Sequence, residues 1–133
     1  MRMILLLPLA ALAACTVGAD RTAELNMSDS LDLSDALTGR AEGEPRSCVR
    51  QQDVRNTRSV GGNTILFDGP GGIVYVNQAS GSCPRIQPWH AIRHRTINNS
   101  ICSGELIRVF DPQTGVEYGG CSLGEFTPWR RGS

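Results

Sequence analysis

Four cysteines, Cys48, Cys83, Cys102 and Cys121, are spread over the later part of a 133-residue chain in which only 5% of residues are aromatic. So short a chain, with so few large apolar side chains, gains little from burial alone, and covalent staples then decide much of what it can fold into. An even number of cysteines in a small exported domain reads as two disulfides, and four cysteines allow three pairings among which sequence does not choose. The expectation adopted is the nested one, Cys83 with Cys102 and Cys48 with Cys121. Its inner loop, about 20 residues long, would be worth on the order of 3 kcal/mol in the chain-entropy picture. A zinc site is the rival, but no pair has the C-x-x-C spacing of zinc ribbons.

The disulfide reading presumes an oxidising compartment, which the N-terminus supplies. Met1 and Arg2 are followed by an apolar run from Met3 to about Leu12 and by the small residues Ala13 and Ala14. That is the layout of a secretory signal, too short for the roughly 20 apolar residues that span a bilayer. Leu12-Ala13-Ala14-Cys15 resembles the bacterial lipobox, which implies cleavage before Cys15 and lipidation of that cysteine by diacylglycerol and an amide-linked acyl chain such as palmitate. More than one acyl chain is what stable anchoring requires. Thr16, not aspartate, follows the cysteine, and by resemblance to the best-known sorting rule this favours the outer membrane. The expected organisation is a signal peptide over 1–14, a lipidated flexible tether over 15–29, and a single β-rich domain over 30–133.

Charge follows the same division. Residues 20–44 carry seven acids against two arginines, whereas 45–133 carry ten arginines against six acids, and the chain has no lysine. The body is mildly basic, which is far from the strong basic patch that nucleic-acid binding demands. Within "LDLSDALTG", Ser30 before Leu31 is positioned to cap a short helix, with Leu33 and Leu37 on one face and Gly39 as its stop. From Cys48 onward β-branched runs and turn residues take over. "NTILF" and "GIVYVN" flank "DGPGG", a hairpin signal, and "SCVRQQDVR" with "TRSV", "AIRHRTI" and "ELIRVFD" are further strand candidates. In "LIRVF" an arginine alternates with apolar neighbours as on a half-buried strand. The fold class expected is mainly β: a small antiparallel sheet or open barrel with one short N-terminal helix and two disulfides.

Several segments together carry a likeness: "ALTGRAEGEPRSCV", "TILFDGPGGIVYVN", "ICSGELIRVFD" and "CSLGEFTPWRR". They resemble a family of short proteobacterial lipoproteins of unknown function, over about Leu37 to Arg131. Glu105 stands where that family more often has aspartate. The resemblance implies export, lipidation and the four-cysteine framework, and implies no activity.

Candidate chemistry is sparse. His90 and His94 are the only histidines; on a strand they would share a face but lie roughly 13 Å apart, too far for one ion, and H-E-x-x-H is broken by Ala91. No metal and no cofactor are therefore expected, a metal-binding protein using His90 and His94 being kept as an alternative. Asp68, Glu105, Asp111 and Glu125 are acids available to a hydrolase acting on cell-wall glycan or peptide, with His94 as a further candidate. All four acids adjoin turn residues, where acids commonly cap, and no serine sits in a G-x-S-x-G elbow. The catalytic set is read as empty. "FTPWRR" gathers Phe126, Trp129, Arg130 and Arg131, and with Trp89 these are the candidate binding residues, since aromatic and arginine side chains dominate binding hot spots. The expectation is a non-catalytic envelope lipoprotein facing the periplasm. Its partners are membrane lipid through Cys15 and an envelope protein or cell-wall component. In architecture, though not in motif, it resembles the small lipoproteins that inhibit lysozymes.

Overall fold

The computed structural model describes residues 17–80, 86–87, 89–95 and 98–132, with side chains from Met27 onward. The leader, Cys15, Cys83 and Pro88 lie outside the described residues. The chain is mainly β, and every strand pairing is antiparallel. Among the described residues one α-helix, α1 (Val17–Ala36), precedes ten strands: β1 (Arg40–Glu42), β2 (Cys48–Arg50), β3 (Asn56–Ser59), β4 (Thr64–Asp68), β5 (Val74–Gln78), β6 (Ala91–His94), β7 (Ser100–Cys102), β8 (Leu106–Phe110), β9 (Glu117–Ser122) and β10 (Phe126–Arg131). They form a five-stranded sheet in the order β1-β10-β5-β4-β3, a β2-β7 pair, and a three-stranded sheet β6-β8-β9. Isolated bridges, Arg46 to Phe126 and Ser80 to Ser122, tie the sheets to one another.

The β4–β5 hairpin forms where "DGPGG" predicts it. Thr64 pairs with Gln78 and Asp68 with Val74, and Gly71 and Gly72 take φ of 67° and 76° in the turn, a conformation that costs glycine nothing. Ile65 and Phe67 enter the main core with Tyr75, Ile101, Ile107, Val109, Leu123 and Phe126. Leu66, on the opposite face, packs with Val60 and Val74 under Leu33, Ala36 and Leu37 of the helix. Both faces of β4 are thus covered, which is why "ILF" is a continuous apolar run and not an alternating one.

The helix is longer than its sequence signals indicate. It begins at Val17, so the stretch expected as a flexible tether is helical and Ser30 lies within the helix instead of capping it. Residues such as Ala23, Glu24, Leu25 and Met27 are good helix formers without an apolar stripe, and propensity alone carries the helix through them. Its end behaves as expected. Gly39 turns at φ 75°, and the Arg40 guanidinium donates to the Ala36 carbonyl (2.9 Å) and to Gly72 O (3.2 Å), satisfying a helix-end acceptor while binding it to the β4–β5 turn.

The nested disulfide pairing is overturned. Cys48 is bonded to Cys102, not to Cys121, so Cys83 is not the partner of Cys102 either. The register decides it: Cys48 stands directly opposite Cys102 in the β2–β7 ladder, with Cα atoms 4.0 Å apart. The Ser103 N–H donates to Ser47 O (2.7 Å) just outside the pair, which makes this a closely spaced, non-hydrogen-bonded position. Cys121 lies on another sheet, opposite Ile107.

β10 was the least expected strand, because it runs through the middle of a sheet and contains Pro128. The missing N–H falls where no acceptor waits. Phe126 and Arg46 exchange both backbone bonds, and Pro128 O accepts from Gly43 N–H (2.7 Å), so 126 and 128 point toward the β1 side. There the ladder is interrupted between Glu42 and Arg46, and the proline sits at that break.

Candidate binding surface

Of the residues singled out in the sequence, several are consumed by packing. Phe126 is fully buried, its ring edge-on to Phe67 at 5.2 Å between centroids, so it belongs to the core and is withdrawn from the binding set. Trp129 is half-buried and lines a cleft of about 280 Å³ with Leu33, Leu37, Val76, Glu42 and Glu125; it serves the seat of the helix. Arg130 and Arg131 are exposed on β10 opposite Ala41 and Arg40. Trp89 stays 64% exposed, edge-on to His90.

The acids are likewise engaged or dispersed. Asp111 accepts from the N–H groups of Gln113 (2.8 Å) and Thr114 (3.4 Å), shaping the β8–β9 turn. Asp68 accepts from Arg58 (3.3 Å) and Asn56 (3.4 Å) across β3–β4. Glu125 lies in the cleft under the helix, and Glu105 follows the turn after β7, its Oε2 buried without a partner. These positions do not converge on one point. His90 and His94 do line a common cleft of about 200 Å³ with Thr57, Ser59 and Ile86. His90 is held there through its Nδ1, which accepts from Gln87 N–H (3.0 Å), and through its ring, which stacks on Tyr118 at 4.5 Å and meets Trp89 edge-on. Among the described residues no group of three or more metal-ligating side chains occurs.

The surface that stands out is the outer face of β6-β8-β9, and it was not singled out in the sequence. In β8, "LIRVF" buries Ile107 and Val109 and leaves Leu106 and Arg108 outside. Arg93 stands directly opposite Arg108, and on the far side Arg108 is paired with Gly120. Together with Arg95, Leu106 and Glu117 these residues border an open groove of about 900 Å³. Gly120 forms a bare patch of its wall, since a Cβ there would lie 2.8 Å from Ile107 O. Arg93 is the one organised cation of the three: its guanidinium lies 4.8 Å above the Phe110 ring and 3.4 Å from Glu117 Oε1. Leu106 is 74% exposed, and Tyr118 and Val116 add further apolar area on and beside β9. The available signal was parity: Leu106, Arg108 and Phe110 fall on one side of a strand whose other side is wholly apolar.

No family model, curated protein or solved structure matches this chain. No described helix is long and apolar enough to cross a membrane.

Proposed function

We propose that this chain is an exported, lipid-anchored, non-catalytic binding module of the bacterial envelope, tethered through Cys15 with the domain facing the periplasm, and belonging with the short proteobacterial lipoproteins it resembles. Small residues before Cys15 and Thr16 after it support cleavage there and retention at the outer membrane. The described cross-strand disulfide supports an oxidising compartment. A second staple, Cys83 with Cys121, completes the framework: Cys121 is not a free thiol, and Cys48 and Cys102 are already bonded to each other.

The observation that carries the binding reading is the outer face of β6-β8-β9, where a large leucine and three arginines surround a groove that no other part of the described chain fills. Arginine is enriched at recognition surfaces, and the exposed leucine beside it offers apolar area for a partner to cover. The test is a photocrosslinking residue placed at Leu106 in the full-length protein in living cells, with Glu44, an exposed residue outside the groove, as control. A reproducible adduct from position 106 and none from position 44 is the expected result. Equal yields from both positions, or none from 106, overturn the reading.

A further inference from the structure

Resting on that reading, we propose that the β6-β8-β9 groove receives an extended, acidic segment of a protein partner, its carboxylates bound by Arg93, Arg95 and Arg108.

Charge makes the case first. Arg93 and Arg108 are opposed in register, and directly opposed like charges on a sheet, with Cβ atoms about 5 Å apart, destabilise the pairing. Among the described residues the one carboxylate bordering the groove, Glu117, is engaged by Arg93. Arg95 and Arg108 have no ion pair among the described residues, so the groove holds an excess of cations that an incoming anion would neutralise. All three are arginines, whose planar forks suit bidentate carboxylate binding.

Shape narrows the class. Arg93 and Arg95 are two residues apart and both line the groove, a spacing of about 7 Å along an extended chain. An extended peptide presents alternate side chains to one face at that same spacing. Leu106 gives such a peptide an apolar contact, and the glycine wall at 120 lets a backbone approach closely. A flat anionic membrane uses neither a recess nor a bare wall, and it would press its phosphates against Glu117.

The experiment uses the mature lipidated protein in phosphatidylcholine nanodiscs, titrated with fluorescently labelled poly-L-glutamate and followed by anisotropy. Saturable binding that weakens with salt, falls at least tenfold in the Arg95→Gln/Arg108→Gln double variant, and is retained in Arg55→Gln, an exposed arginine outside the groove, is the expected result. Absence of binding, or equal binding by the double variant, overturns the proposal. So does a lipid outcome, in which phosphatidylglycerol nanodiscs slow amide exchange in β6 and β8 while polyglutamate does not bind. The two readings fail separately. A cellular adduct at Leu106 with no polyglutamate binding keeps the binding module and removes the acidic ligand; polyglutamate binding with no adduct does the reverse.

Discussion

Arg93 and Arg108 face each other across β6 and β8, and the Glu117 carboxylate lies 3.4 Å from Arg93. Like charges directly opposed on a sheet destabilise the pairing. Arg108→Glu places opposite charges at the paired positions, and exposed pairs of that kind contribute about 0.2–1 kcal/mol. The variant is expected to melt at the same temperature or up to a few degrees higher while losing polyglutamate binding. A fall in melting temperature would show that Arg108 supports the sheet, not a ligand.

The Cys48–Cys102 bond closes a separation of 54 residues. In the chain-entropy picture that is worth about 4 kcal/mol, a large part of the 5–15 kcal/mol typical of a whole domain. Replacing both cysteines by alanine is expected to lower the unfolding free energy by about that amount and to raise the denaturant slope, because the unfolded chain without the cross-link is less compact. Equilibrium unfolding in urea measures it.

Asn77 is fully buried, and its amide both donates to Gly124 O (2.7 Å) and accepts from Gly124 N–H (2.9 Å). Gly124 has no room to adjust, because a Cβ would collide with Gln78 O. Asn77→Leu leaves two part-buried backbone groups of Gly124 without their partner and is expected to cost about 2–4 kcal/mol, at about 1–3 for the loss of a partner to each group less some apolar gain. Thermal unfolding of the variant reads the loss directly.

Leu33, Ala36 and Leu37 of the helix pack on Val60, Leu66, Val74 and Val76, and Arg40 ties its last turn to Gly72. Leu37→Ala is expected to cost about 1–2 kcal/mol of docking. In a Trp89→Phe background, with Trp129 as the one remaining indole beside Leu33 and Leu37, its emission should shift to the red. Gly39→Ala, at φ 75°, should add about 1 kcal/mol of strain, and hydrogen exchange in α1 should quicken in both variants.

Much of this fold is legible in the sequence because local chemistry decides it. The "DGPGG" turn sets the β4–β5 register, and Gly39 marks where the helix stops. The elements that escape notice are those decided by distant partners. Pro128 reads as a strand breaker until the break between Glu42 and Arg46 is seen beside it. The disulfide pairing depends on which strand lies opposite β2, a matter of topology that spacing does not encode. Phe126 reads in the sequence either as core or as hot spot, and its contact with Phe67 distinguishes the two. The groove is invisible for a similar reason: Arg93 and Arg95 belong to one strand candidate and Arg108 to another, and they meet only through the β6–β8 register.

The most direct measurement is the intact mass and disulfide map of the protein extracted from native membranes, with and without reduction before thiol alkylation. The account predicts a chain beginning at a lipidated Cys15, four thiols that appear only after reduction, and a linked peptide joining Cys48 to Cys102. An unmodified Cys15, thiols free before reduction, or a Cys48–Cys121 peptide would contradict it.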